Sequence, residues 1–256
     1  MKASSEVQKA FELAVQSYPA QLRWLIENNR KRLLWQCQRT LDVVPKGGCV
    51  VDIGGGIVPF MYTCQLLGYE TILVDDFSDN LYKSPESKQV LGAIQESGTT
   101  VIDGDVFELE LDEIPEDLDM VTSHDSMEHW HNSPKWIFSA LWNKLSDGGV
   151  FWIGVPNAVN LRKRATVPFG RGKWSTMSDW YETEVFRGHV REPDVEDLAY
   201  IAQDLGAASY SIEGKNWIGY RSSRPIIRTL TPYLDRVMQI WPSLCSVIYL
   251  TAWKRS

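Results

Sequence analysis

Val50-Val51-Asp52-Ile53-Gly54-Gly55-Gly56 is the stretch whose reading decides the fold. Residues 49–53 are apolar apart from Asp52, the pattern of a short strand covered on both faces. The run ends in three glycines, which take backbone angles denied to other residues and let a ligand approach the main chain. A helix entered from this turn would face the ligand with its amides and the positive end of its dipole. A nicotinamide dinucleotide site is the first rival, but its fingerprint needs Gly-x-Gly-x-x-Gly and the third glycine position falls on Pro59. A glycine turn that binds nothing is the other.

Moving outward toward the C-terminus, a crossover helix is expected over 59–67, ended by Gly68, and a second strand over 70–74. That strand runs into Asp75-Asp76-Phe77-Ser78, about twenty residues past the turn, the usual place for an acid that holds ribose hydroxyls. A third strand over 99–102 leads into Asp103-Gly104-Asp105-Val106-Phe107. A fourth over 118–122 leads into Ser123-His124-Asp125-Ser126-Met127-Glu128-His129-Trp130. A helix over 134–145, the turn Ser146-Asp147-Gly148-Gly149, a fifth strand over 150–155 and Pro156-Asn157 follow. Alternating strands and helices predict a doubly wound α/β sheet.

The Asp-x-Gly-x-Gly of Asp52, Gly54 and Gly56, the acids after strands two and three, the Glu128-His129 segment and the later Asp-Gly-Gly and Pro-Asn turns come in a set order. Over about residues 48–157 that order resembles class I S-adenosylmethionine-dependent methyltransferases. The segment after strand four is similar to that of the small-molecule branch, which includes quinone-biosynthesis O-methyltransferases. The resemblance implies a Rossmann-like seven-stranded sheet, mostly parallel, with an antiparallel last strand inserted beside strand six. It implies S-adenosyl-L-methionine as cofactor, held by Asp52, Gly54, Gly55 and Gly56. Asp75, with Asp76 beside it, would take the ribose. Asp105 and the Val106 amide would take the adenine, and the His124 backbone the amino-acid portion. His129 is the first candidate base and His189 the second. Each histidine also has a structural reading, as a cap or a packing residue. A metal held by His124, His129 and His131 is set aside, because their spacing matches no metal motif.

Composition narrows the partners. The 256 residues carry a net charge of −7, which argues against non-specific nucleic-acid binding. Hydrophobic residues at 44% and charged residues at 23% are ordinary for a globular protein. Cys37, Cys49, Cys64 and Cys245 are scattered without zinc-ligand or disulfide spacing, and read as buried thiols. No apolar run approaches the roughly 20 residues of a membrane span. Nor does the N-terminus carry the apolar core of a signal peptide, so a cytoplasmic location is expected.

The remaining segments flank the sheet. Residues 1–44 are expected to form an N-terminal helical cap, with Ser5 opening the first helix and a break at Tyr18-Pro19. Residues 45–256 form the methyltransferase-like domain. Within it, residues 158–192 fit no regular element and hold Arg162, Lys163, Arg164, Arg171 and Lys173 with Phe169, Trp174, Trp180, Tyr181 and Phe186. That segment reads either as a substrate loop for a small-molecule or glycan acceptor, of anionic character, or as a solvated loop whose tryptophans pack on the core. Its last residues, Gly188-His189-Val190-Arg191-Glu192, resemble a segment of some sugar- or envelope-associated family members. A helix over 193–205 follows, then strand six over 208–212 and a helix over 224–240 interrupted by Pro232. The last strand spans 246–253, and Trp241 and Tyr249 are expected to pack in the core, with contact to a membrane surface as the alternative. Two functions remain: a methyltransferase acting at oxygen of a small-molecule or carbohydrate-like acceptor, and a non-catalytic cofactor-binding module serving as a partner subunit.

Overall fold

The computed structural model describes residues 3–171, 177–220 and 222–255. Among them, β1 (Cys49–Ile53), β2 (Glu70–Asp75), β3 (Thr100–Asp103), β4 (Leu118–His124), β5 (Leu145–Pro156), β6 (Ser209–Lys215) and β7 (Val247–Trp253) form one sheet. Its order is β3-β2-β1-β4-β5-β7-β6. β1 pairs in parallel with β2 and β4, β2 pairs in parallel with β3, and β6 pairs antiparallel with β7. The expected doubly wound sheet with an antiparallel last strand beside strand six is therefore what forms. The chain leaves β1 toward β2 and β3, then returns to place β4 on the other side of β1. This reversal is the topological switch point, where sheets of this kind hold ligands beyond their strand carboxyl ends.

The chain divides into two compact units: residues 1–123, 139–151 and 254–256, and residues 124–138 and 152–253. In the first, α1 (Ser5–Gln16), α2 (Arg23–Val43), α3 (Phe60–Leu66) and α4 (Pro85–Glu96) accompany the strands. The N-terminal helices belong to this unit: α1 buries Val7, Ala10, Phe11 and Ala14. Its cap is Ser4 rather than Ser5, with the Ser4 hydroxyl accepting from the Val7 amide at 3.3 Å. At the break after α1, buried Tyr18 donates its hydroxyl to the carbonyl of Ile57, just past the glycines. Helix α4 was not anticipated, although Ser84 as cap and Pro85 at its first turn are plain start signals.

The helix α5 (Lys135–Lys144) and the strand β5 each carry residues of both units. Asp147-Gly148-Gly149, expected as a turn before strand five, lies inside β5, where Gly148 at φ +76° lets the strand bend.

The second unit holds α6 (Leu161–Thr166), α7 (Met177–Tyr181), α8 (Val195–Asp204), α9 (Trp217–Tyr220) and α10 (Pro225–Met238). Residues 158–192 are thus not wholly irregular. Asn160 caps α6 by accepting from the Lys163 amide, the ordinary signal of a helix start. Helix α8 begins after Pro193, with Asp194 and Asp197 exchanging side-chain-to-backbone bonds in a capping box. Pro232 does not interrupt α10. Both Pro232 and Arg228 are exposed, so water can satisfy the carbonyl that the missing amide leaves open. Tyr249 is buried as expected, but Trp241 is 56% exposed, and α10 turns Ile226, Leu230, Tyr233 and Leu234 outward. No helix among the described residues is long and apolar enough to cross a membrane.

Candidate functional site

The glycine turn is held from below by Asp52. This carboxylate is 2% exposed and accepts the Thr122 hydroxyl at 2.7 Å from the neighbouring strand. A side chain at Gly55 would run into it. Gly54 and Gly56 have φ of +71° and +59°, the left-handed region that favours glycine. The Gly54 amide donates to the Val74 carbonyl at 2.7 Å, which closes the turn against the end of β2. Burial, opposed by the Thr122 hydrogen bond and aided by the charge of Asp75, pushes the Asp52 carboxyl up to about 7.

Asp75 ends β2 and turns toward the glycines. Its carboxylate accepts from the Gly56 amide at 2.9 Å and the Phe77 amide at 2.8 Å. A carboxylate has about four acceptor sites, so two remain for a ligand. Burial raises its pKa, the two amides lower it, and Asp76 and Asp103 raise it further, for a net rise. Asp103 faces Asp75 in the β2–β3 register. Asp76 is exposed and bonds the Ser78 amide. Asp105 is exposed and accepts from the Phe107 amide at 2.9 Å, while the Val106 side chain is buried behind it.

Tyr82 was missed by sequence reasoning. A side chain at Gly56 would meet its hydroxyl, so this tyrosine lies over the turn, its ring edge-on to Phe77 at 5.5 Å. Burial, then the charges of Asp75, Asp79 and Asp76, raise its hydroxyl above the usual range. The only signal was Asp79 three residues earlier, which caps the short turn that carries it by accepting from Leu81.

In the second unit, His124 stands edge-on to Trp152 at 4.4 Å and Tyr249 at 5.7 Å, beside Gly154, where a side chain would strike both His124 and Tyr249. Its ring is a packing element, and Asp125 turns the chain there at φ +50°. His129 and His189, 60 positions apart in sequence, meet edge-to-face at 4.8 Å. The His129 Nδ1 hydrogen goes to the Arg187 carbonyl at 2.8 Å, and that of His189 to the Glu192 carboxylate at 2.7 Å. Glu128, 1% exposed, accepts the Val190 and Arg191 amides on its backbone carbonyl. Glu128, His129 and His189 thus form a cluster, in place of the trio of His124, His129 and His131 weighed from sequence.

Lys163 is buried and paired with Glu192, so it is no solvated member of a basic loop. Burial would raise the Glu192 carboxyl, but its bonds from His189 and Lys163 outweigh this and hold it below its ordinary value. Arg164 bonds the Val159 and Ser243 carbonyls. Trp180 is 57% exposed, against core packing for that tryptophan, and Phe169 and Tyr181 are 81% and 71% exposed. Lys173 and Trp174 lie outside the described residues.

No protein-family model matches the chain, and no curated protein sequence matches it. Solved structures do. A SAM-dependent methyltransferase of Thermotoga maritima, described as a possible histamine N-methyltransferase, is 13% identical, with 96% of this chain and 100% of that one covered at a TM-score of 0.55. A SAM-dependent methyltransferase of Archaeoglobus fulgidus is 19% identical, with 92% and 100% covered at 0.56. Phosphoethanolamine N-methyltransferase 2 of Haemonchus contortus, solved with S-adenosyl-L-methionine, is 16% identical, with 88% of this chain and 53% of that one covered at 0.57. A second structure of that enzyme holds phosphomonomethylethanolamine and S-adenosylhomocysteine. The chain therefore has the fold of SAM-dependent methyltransferases.

Proposed function

We propose that the chain is an S-adenosylmethionine-dependent methyltransferase acting on a small-molecule or carbohydrate-like acceptor, at oxygen. The observation that carries this reading is the Asp75 carboxylate fixed to the Gly56 amide at the carboxyl end of β2, with acceptor sites left over. A vicinal diol asks for such a group, and the glycines let the sulfonium nucleoside lie against the main chain. The reading gives Gly54, Gly55 and Gly56 the cofactor's close approach and gives Asp52 the support of the turn. Asp75 takes the ribose, with Asp76 at the rim. Asp105 and the Val106 amide take the adenine, and the His124 backbone the amino-acid portion. The fold supports it, and so does the cofactor bound in the Haemonchus enzyme.

Methyl transfer is an in-line displacement. An acceptor oxygen lone pair forms the new C–O bond, the S–C bond breaks, and its electron pair neutralises the sulfonium. The hydroxyl proton must go to a base. With Nδ1 of both rings donating, Nε2 carries the lone pair of each neutral imidazole, and His129 or His189 can take that proton. Exposed Arg162 and Arg171 suit an anionic acceptor group.

Calorimetry with S-adenosylhomocysteine tests the cofactor reading. Binding should be saturable, and Asp75→Ala should weaken it about 10- to 150-fold, the worth of one hydrogen bond to a charged group. Equal affinity in the variant, or no heat with the wild-type chain, overturns it. Release of S-adenosylhomocysteine in the presence of an acceptor-containing extract separates an enzyme from a binding module.

A further inference from the structure

We infer that Glu128, His129 and His189 form a binding site for a divalent transition-metal cation. A carboxylate oxygen of Glu128 and one ring nitrogen from each histidine all lie within 4.8 Å of one another. Two imidazoles and one carboxylate suit zinc, iron(II), manganese or cobalt(II), with positions left open for water or an acceptor oxygen.

Three features argue for a built site. Each histidine hands its Nδ1 hydrogen to a fixed oxygen: His129 to the Arg187 carbonyl, His189 to the Glu192 carboxylate. That is the arrangement by which metal-ligating histidines are oriented, and it leaves Nε2 as the lone-pair nitrogen of both rings. The orienting carboxylate is itself clamped, because buried Lys163 pairs with Glu192. The segments carrying the three groups are joined by main chain, with the Val190 and Arg191 amides both donating to the Glu128 carbonyl at 2.7 and 3.2 Å. The main chain thereby holds the segments that carry the ligand set in register.

With a cation bound, the Nε2 lone pairs of His129 and His189 serve the metal. An acceptor hydroxyl in an open position would then be acidified by the cation and pass its proton to solvent water, in place of the transfer to His129 or His189 that the cation-free site would use. Uptake of the cation needs neither S-adenosylmethionine nor an acceptor, so its test is separate from that of the methyltransferase reading.

The test uses the full chain without a histidine tag, stripped with a chelator and titrated with cobalt(II) by absorption and with zinc(II) by equilibrium dialysis. One cation per chain is expected, with cobalt d–d bands of a nitrogen- and oxygen-ligated site. His129→Ala, His189→Ala and Glu128→Gln should each weaken binding at least about 10-fold, while His131→Ala leaves it unchanged. Glu192→Gln, which keeps all three ligands and alters only the group orienting His189, should weaken it about 10- to 100-fold. This variant carries the test if a ligand variant does not fold. Uptake that never saturates, or wild-type affinity in His189→Ala or in Glu192→Gln, overturns the proposal.

Discussion

The glycine turn of the first unit and the histidine cluster of the second are built in opposite ways. The turn is local: Asp52, Gly54, Gly55 and Gly56 lie within five consecutive residues, and the acid they need ends the adjacent strand. The cluster is assembled from two pieces, 128–129 and 187–192, that approach only because the folded chain stitches them together. A local device carries its signature in spacing. An assembled one has none until its long-range bonds are known.

That contrast can be broken or sharpened by measurement. The largest effect is expected at the stitch. Lys163→Ala leaves the Glu192 carboxylate buried without its lysine, and removing one partner of a buried pair costs about 3–5 kcal/mol. Chemical denaturation reads it, and a loss under about 1 kcal/mol would mean that the main-chain bonds alone hold the segment.

Next comes the pH dependence of the turn. Asp52 holds its proton up to about 7 in the folded chain, against roughly 3.9 when unfolded. Between those values the folded state binds more protons, so stability falls as pH rises through the window and levels off above it. Its span is up to about 4 kcal/mol. Asp52→Asn should flatten this slope, and denaturation curves at pH 4, 5.5 and 7 for both chains decide the matter.

Gly55→Ala should cost about 1–3 kcal/mol, because the new methyl meets a carboxylate anchored to Thr122. Thermal unfolding that matched the wild type would show that the turn yields. The smallest effect is expected at the cap that follows the stitch. Asp194→Ala should cost about 1 kcal/mol, since Asp194 accepts from the Glu196 and Asp197 amides. Hydrogen exchange should report faster opening of α8 alone, and faster exchange around 187–192 as well would join the cap to the cluster.

Much of the fold was legible because its signals are local. Apolar runs end at glycines or acids, and β1, β2 and β4 form within two residues of where the pattern puts them. Misreadings arose where a neighbour overrode the local rule. Solvent at Arg228 excuses Pro232, and the pairing of β5 takes in Asp147-Gly148-Gly149. In the turn, Asp75 was legible from its distance to the glycines, but Tyr82 was not, since no spacing rule brings a tyrosine over Gly56. Lys163 read as one cation of a basic loop, yet it is buried against an acid 29 positions away.

By itself the sequence determined the α/β class, the glycine turn and the acid beside it, because strand periodicity and backbone sterics act over a few residues. Only the tertiary structure decided that Tyr82 covers the turn, and that Glu128, His129 and His189 stand together with Glu192 and Lys163 behind them. Those contacts join residues tens of positions apart. They depend on how the chain returns on itself, which no short window of residues records.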